Sequence, residues 1–101
     1  MIRVAVLYPN ESGKKFDMDY YLNKHMPMVN KTLENLGLVR TEVDKGIGGM
    51  GESPAPFIAI CYMYFDNMES MQNSMAKAPD MMSDLPNFTD IQPQVQISEI
   101  A

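Results

Sequence analysis

The chain has few of the residues on which many kinds of binding site depend. Among 101 residues it has one cysteine, Cys61, one histidine, His25, and no tryptophan. A single cysteine cannot close an internal disulfide, and one Cys with one His cannot supply the ligands of a usual zinc site. We therefore expect no disulfide framework and no bound metal.

Positive charge is also scarce. Eight Lys and Arg residues stand against thirteen Asp and Glu residues, and the net charge is −5. The basic residues are scattered and form no stripe that could neutralise phosphates, so nucleic acid is not an expected partner. The apolar opening, residues 1–8, is too short for a signal sequence or a membrane span. The sequence predicts one cytoplasmic domain over residues 1–101, without a membrane partner.

The first half of the chain predicts a strand, a long helix and a second strand. Residues 2–8 are apolar and β-branched, and a turn-forming cluster follows them. Asp17 stands where a helix N-cap belongs, and apolar residues recur at helical spacing from there until Gly37. Pro27 lies inside this pattern and should remove one backbone bond just after His25, which would bend the helix. Residues 38–45 alternate polar and apolar, as an exposed strand does.

The second half of the chain also predicts a strand, a helix and a further strand. Residues 57–65 are apolar or aromatic on both faces, which is typical of a strand covered on both sides. Asp66 or Asn67 should cap a second helix that ends before Pro79. A methionine-rich connector, residues 80–90, leads to a last strand within residues 93–100. Residues 46–51 match the pattern G-x-G-x-x-G, but a strand follows instead of a helix, so we expect no dinucleotide there.

The order of elements predicts an α+β fold of the ferredoxin-like βαββαβ type, a four-stranded antiparallel sheet with two helices on one face. The first and third strands, apolar on both faces, should be central. Two helices cover only one face of such a sheet, so the other face should be left as an apolar patch. A second copy packed sheet to sheet would cover it, and we expect a homodimer with a barrel-like middle.

One segment carries a family resemblance. Phe16-Asp17, Tyr20-Tyr21, His25, Pro27 and Val29, followed by the helix exit at Gly37-Leu38, resemble the EthD family, whose name refers to ethyl tert-butyl ether degradation. The resemblance implies a dimeric α+β barrel across nearly the whole chain. It links the chain to ether or xenobiotic degradation, although the family's own chemical role is not defined. Related barrels include cofactor-free monooxygenases, isomerases and cyclases, an analogy of fold.

His25 is the candidate for acid/base chemistry, because histidine alone exchanges protons near neutral pH without a shifted pKa. On a helical projection it lies about 60° from the centre of the buried stripe, at the rim that faces the helix–sheet gap. Tyr21 lies on the same side and could orient His25 or bind a ligand oxygen, whereas Tyr20 points almost away from the core. A lone histidine with no visible carboxylate partner is more often a structural residue that bonds a nearby carbonyl.

Four further residues are candidates for substrate binding. Cys61 would be a nucleophile only if its strand turned it toward His25, and an inert core thiol is the commoner outcome. Tyr62 and Tyr64 share one strand face, which lines either the cleft or the dimer seam. Met28 stands where the resembled family often has leucine, a swap that conserves volume.

These observations favour a small homodimeric protein that acts on, or binds, a small apolar or aromatic metabolite in a cleft of each subunit, with no cofactor. If it is an enzyme, proton transfer by His25 is the expected step. Two alternatives remain open. A non-enzymatic carrier would use the same cleft to hold a hydrophobic intermediate. Haem binding would need His25 as an axial ligand and a roomier pocket.

Overall fold

Four antiparallel strands form one sheet, and all the helices lie on one of its faces. The computed structural model describes all residues, 1–101. Its elements are β1 (Ile2–Pro9), α1 (Met18–Tyr20), a π-helical turn (Tyr21–His25), α2 (Met26–Leu33), β2 (Leu38–Lys45), β3 (Phe57–Phe65), α3 (Met68–Met75), α4 (Ala78–Met82), a 3₁₀ turn (Leu85–Asn87) and β4 (Gln94–Glu99). This is the ferredoxin-like βαββαβ order, and the predicted fold class is confirmed.

The sheet has the strand order β2-β3-β1-β4, so β3 and β1 are central, as their apolar faces predicted. Val4 pairs with Met63 of β3 on one side and with Ile97 of β4 on the other. Because paired residues point to the same side of a sheet, this register fixes which side chains face the helices.

The first helix begins where the sequence predicted. The Asp17 side chain accepts a hydrogen bond from the backbone N–H of Tyr20 at 3.1 Å, the N-cap arrangement. The irregularity expected near Pro27 is present and takes the form of the π-helical turn, in which the N–H of Met26 bonds the carbonyl of Tyr21. Pro27 follows at once, in the first turn of α2, where its missing N–H costs least.

The chain leaves this helix earlier than its sequence pattern indicated. Helical structure ends at Leu33, and a turn leads to Gly37, which has φ +99°, a conformation that favours glycine. A Cβ at Gly37 would lie 2.6 Å from the Ser70 side chain of α3. The same glycine therefore turns the chain and lets the two helical layers approach.

The second helical region is capped by Asn67, whose side chain accepts from the backbone N–H of Ser70 at 2.8 Å. The sequence alone did not distinguish Asp66 from Asn67 as the capping residue. The methionine-rich connector contains regular structure, since α4 extends into it and the 3₁₀ turn follows before β4. No helix has the length and apolar character needed to cross a bilayer.

The core lies between the sheet and the helices. It is built from the alternate residues of β1 and β3 that face the helices and from the inward side chains of α2, α3, α4 and the connector. The largest fully buried side chains are Tyr8, Tyr21, Phe65, Phe88 and Leu33.

The open face of the sheet differs from the apolar patch that the sequence predicted. Tyr64 is buried there, with the Arg40 guanidinium 3.9 Å from its ring centroid and a 2.6 Å hydrogen bond from its hydroxyl to Glu42. The Arg3 guanidinium lies 5.0 Å from the Tyr62 ring centroid. Side chains of the central strands are thus partly covered within one subunit by charged neighbours, because long Arg side chains pack their stems along aromatic rings.

Candidate active site

His25 has a carboxylate partner that sequence reasoning did not find. Its Nδ1 lies 3.0 Å from Oδ2 of Asp84, in the connector 59 residues further along the chain. His25 is buried, with 5% of its surface exposed. A carboxylate at this distance accepts the Nδ1 proton and thereby leaves the lone pair on Nε2.

The Asp84 carboxylate is itself held by two other side chains. The Tyr20 hydroxyl and the Asn87 amide each donate to its Oδ1 at 2.8 Å, while Oδ2 faces His25. Burial of the carboxylate opposes ionisation, but the hydrogen bonds from Asn87, His25 and Tyr20 outweigh it and lower the pKa of Asp84 below its ordinary 3.8. At neutral pH the partner of His25 is therefore an anion.

Aromatic rings fix the imidazole in place. Tyr21, one π-helical turn earlier, stacks on His25 with ring centroids 5.3 Å apart and an angle of 16° between the planes. Phe88 packs at 4.7 Å from the imidazole and is fully buried. The π-helical turn carries both Tyr21 and His25, and single π-helical turns of this kind often occur at functional sites.

The connector is tied to the segment before the first helix. The Phe88 carbonyl accepts from the backbone N–H of Asp17 at 2.8 Å, and the Thr89 hydroxyl donates to the Lys15 carbonyl at 2.6 Å. Phe16 and Thr89 also form a β-bridge. These bonds anchor the segment that carries Asp84 beside the helix that carries His25.

A cavity of about 60 Å³ lies between the sheet and the helices, next to this pair. His25 is its one lining residue that is not hydrophobic. Val4 and Cys61 line the sheet side, whereas Met75 and Met81 line the side of α3 and α4. Val95 of β4 also lines it and is 56% exposed, so the cavity reaches the surface beside this edge strand.

The second ring nitrogen of His25, Nε2, is accessible and not sealed in the core. Nε2 has no hydrogen-bond partner in the protein. Every fully buried side-chain nitrogen or oxygen does have a partner, so Nε2 is not fully buried. Nε2 is therefore in contact with accessible space, and the His25 side chain lines the cavity. A proton acceptor thus belongs to a side chain in the wall of a mostly apolar chamber.

Three more side chains that line the cavity carry a polar group. Tyr8, Tyr21 and Cys61 all line it, and each is at least 96% buried. Burial, with a smaller effect of the neighbouring Cys61 thiol, raises the pKa of both tyrosines. Burial likewise raises the pKa of Cys61 to about 11, although the nearby Tyr21 hydroxyl opposes the shift. All three groups are protonated at neutral pH, so Cys61 is not an activated nucleophile.

Not every residue predicted for the site reaches the cavity. His25, Tyr21 and Cys61 line it together. Tyr62 and Tyr64 lie on the opposite face of β3, because side chains alternate along a strand and Cys61 faces the helices. Met28 is half-buried against the core and also lies outside the cavity lining.

Sequence reasoning missed Asp84, Tyr8, Phe88 and Tyr20. Tyr20 was expected to point away from the core, which is correct for the helix alone, but the connector crosses that side and the Tyr20 hydroxyl meets Asp84 there. Tyr8 ends the helix-facing row of β1, and strand alternation could have identified it. Nothing local in the sequence marks Asp84, whose partners are distant along the chain.

Comparison with known proteins places the chain in a family. The fold and the buried histidine–aspartate pair define a ferredoxin-like α+β protein with an apolar cavity beneath its helices. The model of the EthD domain matches residues 11–92, and the chain belongs to the EthD family. No curated protein matches it.

Solved structures of relatives support this assignment. An EthD-like protein from Ralstonia eutropha JMP134 is 37% identical, with a TM-score of 0.89 over 97% of this chain and 89% of that one. An ethyl tert-butyl ether degradation (EthD) family protein from Bacillus halodurans C-125 is 27% identical, with a TM-score of 0.68 over 100% and 99%. A dimeric ferredoxin-like protein from an uncultured marine organism, 10% identical with a TM-score of 0.62 over 99% and 94%, shares the fold.

Proposed function

We propose that this EthD-family protein binds a small apolar or aromatic molecule in the cavity between helices and sheet, and that His25 transfers a proton to or from it without a cofactor. The observation that carries the proposal is the placement of His25. Its Nδ1 is bonded to Asp84 and its side chain lines the cavity, which supports a role for the free Nε2 toward a bound molecule. A relative is described as an ethyl tert-butyl ether degradation family protein, and the proposal therefore includes a substrate from the degradation of ethers or other xenobiotics.

The His25–Asp84 pair can act as a general base. Nε2 takes a proton from the bound molecule, and the imidazolium that forms lies beside the Asp84 carboxylate, which stabilises its charge. Tyr20 and Asn87 hold that carboxylate in place. Proton return from Nε2 to another atom of the molecule completes a cycle that needs no oxidant or metal. General-base catalysis of this kind contributes about 10²- to 10⁴-fold in rate.

The size of the cavity limits what enters. Its 60 Å³ is below the range of about 300–1,000 Å³ for small-molecule sites, so only a compact molecule fits without movement of the walls. Met75, Met81 and Met82 line the side of α3 and α4, and methionine changes rotamer easily. A porphyrin does not fit this space, so the haem alternative is not supported by the geometry.

The proposal includes a homodimer formed through the open face of the sheet. Leu7, Ile58 and Ile60 lie on that face and are half-buried in one subunit, so a second copy could remove them further from water. The fold is shared with a protein described as dimeric. In this arrangement Tyr62 and Tyr64 belong to the seam between subunits and not to the cavity.

The experiment uses two small probes, toluene for binding and cyclopentanone for chemistry. Binding is followed by NMR chemical shifts of the cavity methionine methyl groups. Exchange of the α hydrogens of cyclopentanone in D₂O reports proton transfer. We expect the protein to bind both probes and to accelerate exchange, and His25→Gln to lower the catalysed exchange about 10²-fold or more.

A matched control is Tyr62→Phe, on the opposite sheet face, which should leave both readouts unchanged. If neither probe binds in the cavity, the proposal is wrong as a whole. If both bind but exchange equals that in buffer, the acid/base role is wrong. The almost wholly apolar lining would then favour the second candidate, a carrier that holds a hydrophobic intermediate.

A further inference from the structure

The cavity wall carries a pair of tyrosine hydroxyls that the acid/base proposal leaves without a role. Tyr8 is 2% exposed and Tyr21 1% exposed, and their rings meet edge to face with centroids 5.6 Å apart. The polar groups that influence their hydroxyls are each other and the Cys61 thiol. Both side chains line the same cavity as His25.

A count of donors and acceptors leaves one hydroxyl proton free. Each hydroxyl has one proton to donate and can accept as well, so a contact between the two uses one proton. Of the polar groups that influence these hydroxyls, the Cys61 sulfur is the remaining acceptor for the second proton, and sulfur is a weak acceptor. A buried hydroxyl without a good acceptor costs free energy unless a ligand or water supplies one.

We infer that Tyr8 and Tyr21 form a hydrogen-bond donor site for one oxygen atom of the ligand, and that the ligand is a small, otherwise apolar carbonyl compound with a hydrogen on the carbon next to the carbonyl. This inference rests on the proposed use of the cavity as the binding site. It adds the chemical class of the substrate and gives a role to Tyr8, which the sequence did not single out.

The groups present in the cavity are sufficient for a complete proton-transfer reaction on such a carbonyl compound. His25 Nε2 takes the proton from the carbon next to the carbonyl, the C–H electron pair moves into a new C=C bond, and the carbonyl π pair moves onto oxygen. The resulting enolate oxygen accepts the free tyrosine proton as a hydrogen bond, which stabilises the developing charge. When the proton on Nε2 is replaced by a deuteron from D₂O, delivery of that deuteron to the same carbon gives exchange, whereas delivery of the proton to a conjugated carbon would give an isomer.

Both tyrosines suit the donor role better than the role of a base. Burial raises their pKa above the ordinary value for tyrosine, so neither is ionised near neutral pH. A neutral hydroxyl donates to an anionic oxygen, and a hydrogen bond to a charged group is stronger than one between neutral groups. The rest of the lining is apolar apart from His25, which fits a ligand with a single polar end.

The test compares two ligands of nearly the same shape, cyclopentanone and methylenecyclopentane, in which a CH₂ group replaces the oxygen. Dissociation constants are measured for the unmodified protein and for the double variant Tyr8→Phe with Tyr21→Phe. We expect loss of both hydroxyls to weaken cyclopentanone binding about fivefold relative to methylenecyclopentane. Tyr62→Phe, on the opposite face of the sheet, is the control and should leave the ratio unchanged.

A spectroscopic readout separates hydrogen bonding from packing. The ¹³C resonance of the bound carbonyl should move toward the hydrogen-bonded position in the unmodified protein and toward its position in hydrocarbon solvent in the double variant. Binding of methylenecyclopentane by the double variant shows that its cavity is intact. If that ligand no longer binds, the single variants Tyr8→Phe and Tyr21→Phe take its place, and each should shift the carbonyl resonance in the same direction.

The outcomes distinguish this inference from the function on which it rests. A bound carbonyl that resonates as in hydrocarbon would overturn the donor site, whereas exchange dependent on His25 would still support the acid/base proposal. A hydrogen-bonded carbonyl with exchange unaffected by His25→Gln would support the donor site and overturn the acid/base role. Failure of both ligands to bind the unmodified protein would overturn both.

Discussion

Asp84 approaches His25 from a different element of the fold, with 3.0 Å between its Oδ2 and the imidazole Nδ1. Because this is the one histidine of the chain, its ring signals are unambiguous in a long-range ¹H–¹⁵N correlation spectrum. At about pH 9, where imidazoles are neutral, we expect the proton on Nδ1 and a bare Nε2. Asp84→Ala removes the acceptor and should give a mixture of both tautomers.

Asp80→Ala is the matched control for this change. Asp80 is an exposed carboxylate of α4, only four residues from Asp84, and its side chain makes no hydrogen bond to the imidazole. The tautomer should stay as in the unmodified protein. A proton found on Nε2 in the unmodified protein would contradict the orientation of the pair and remove the base from the cavity.

Stability in acid should depend on Asp84. Its pKa is lower in the folded protein than its ordinary 3.8, so the folded state favours the anion. The stabilisation is therefore complete above about pH 5 and is lost as the pH falls through 3.8 and then through the lower folded pKa. Asp84→Asn should flatten the fall of the urea unfolding midpoint in this range.

The groups that face Asp84 are the side chains of His25, Tyr20 and Asn87. Asp80→Asn again serves as the control, since it removes a nearby exposed carboxylate. Equal acid sensitivity of the Asp84→Asn variant and the unmodified protein would show that the folded state does not favour this anion.

Gly37→Ala should destabilise the fold strongly, although it adds only one methyl group. Gly37 has φ +99°, and a new Cβ would meet the Ser70 side chain at 2.6 Å, so backbone strain and overpacking add to about 3 kcal/mol. Gly13→Ala is a matched control, because Gly13 has φ +81° with no atom within 4 Å of the new Cβ. It should cost only about 1–2 kcal/mol, the penalty for the left-handed conformation. Urea unfolding measures both, and equal losses would mean that the contact with Ser70 is unimportant.

The Cys61 thiol should be unreactive in the folded protein. Burial raises its pKa to about 11, so at pH 8 about two orders of magnitude less thiolate is present than for an exposed cysteine. Reaction with Ellman's reagent should be slow in buffer and fast in concentrated urea. Rapid reaction of the folded protein would show that the cavity opens to a reagent much larger than its resting volume.

The sequence predicted those parts of the fold that depend on local patterns. Residues 57–65 are apolar on both faces, and β3 is central as expected. The side chain of Asp17 caps the first helix because capping depends on residues only three apart. Alternation along β3 also contained the information that Tyr62 and Cys61 face opposite sides, although the sequence could not tell which side holds a cavity.

The site required information that no local pattern contains. The partner of His25 comes from the connector, and the bond spans 59 positions of the sequence. The side of the first helix that carries Tyr20 would be solvent-exposed if the helix stood alone, and it meets Asp84 only because the connector passes over it. A helical projection gives the direction of a side chain but not the neighbours that tertiary structure brings to it.

The ties between the connector and the segment before the first helix have a consequence for evolutionary change in chain length. Insertions or deletions in residues 84–90 would separate Asp84 from Phe88 and Thr89, which dock against Asp17 and Lys15, and would pull the carboxylate out of register with the imidazole. The loop between β2 and β3, with Ile47 and Met50 almost fully exposed, carries no such constraint on the pair. Homologues of different length should therefore vary in that loop and keep the spacing from Asp84 to Thr89.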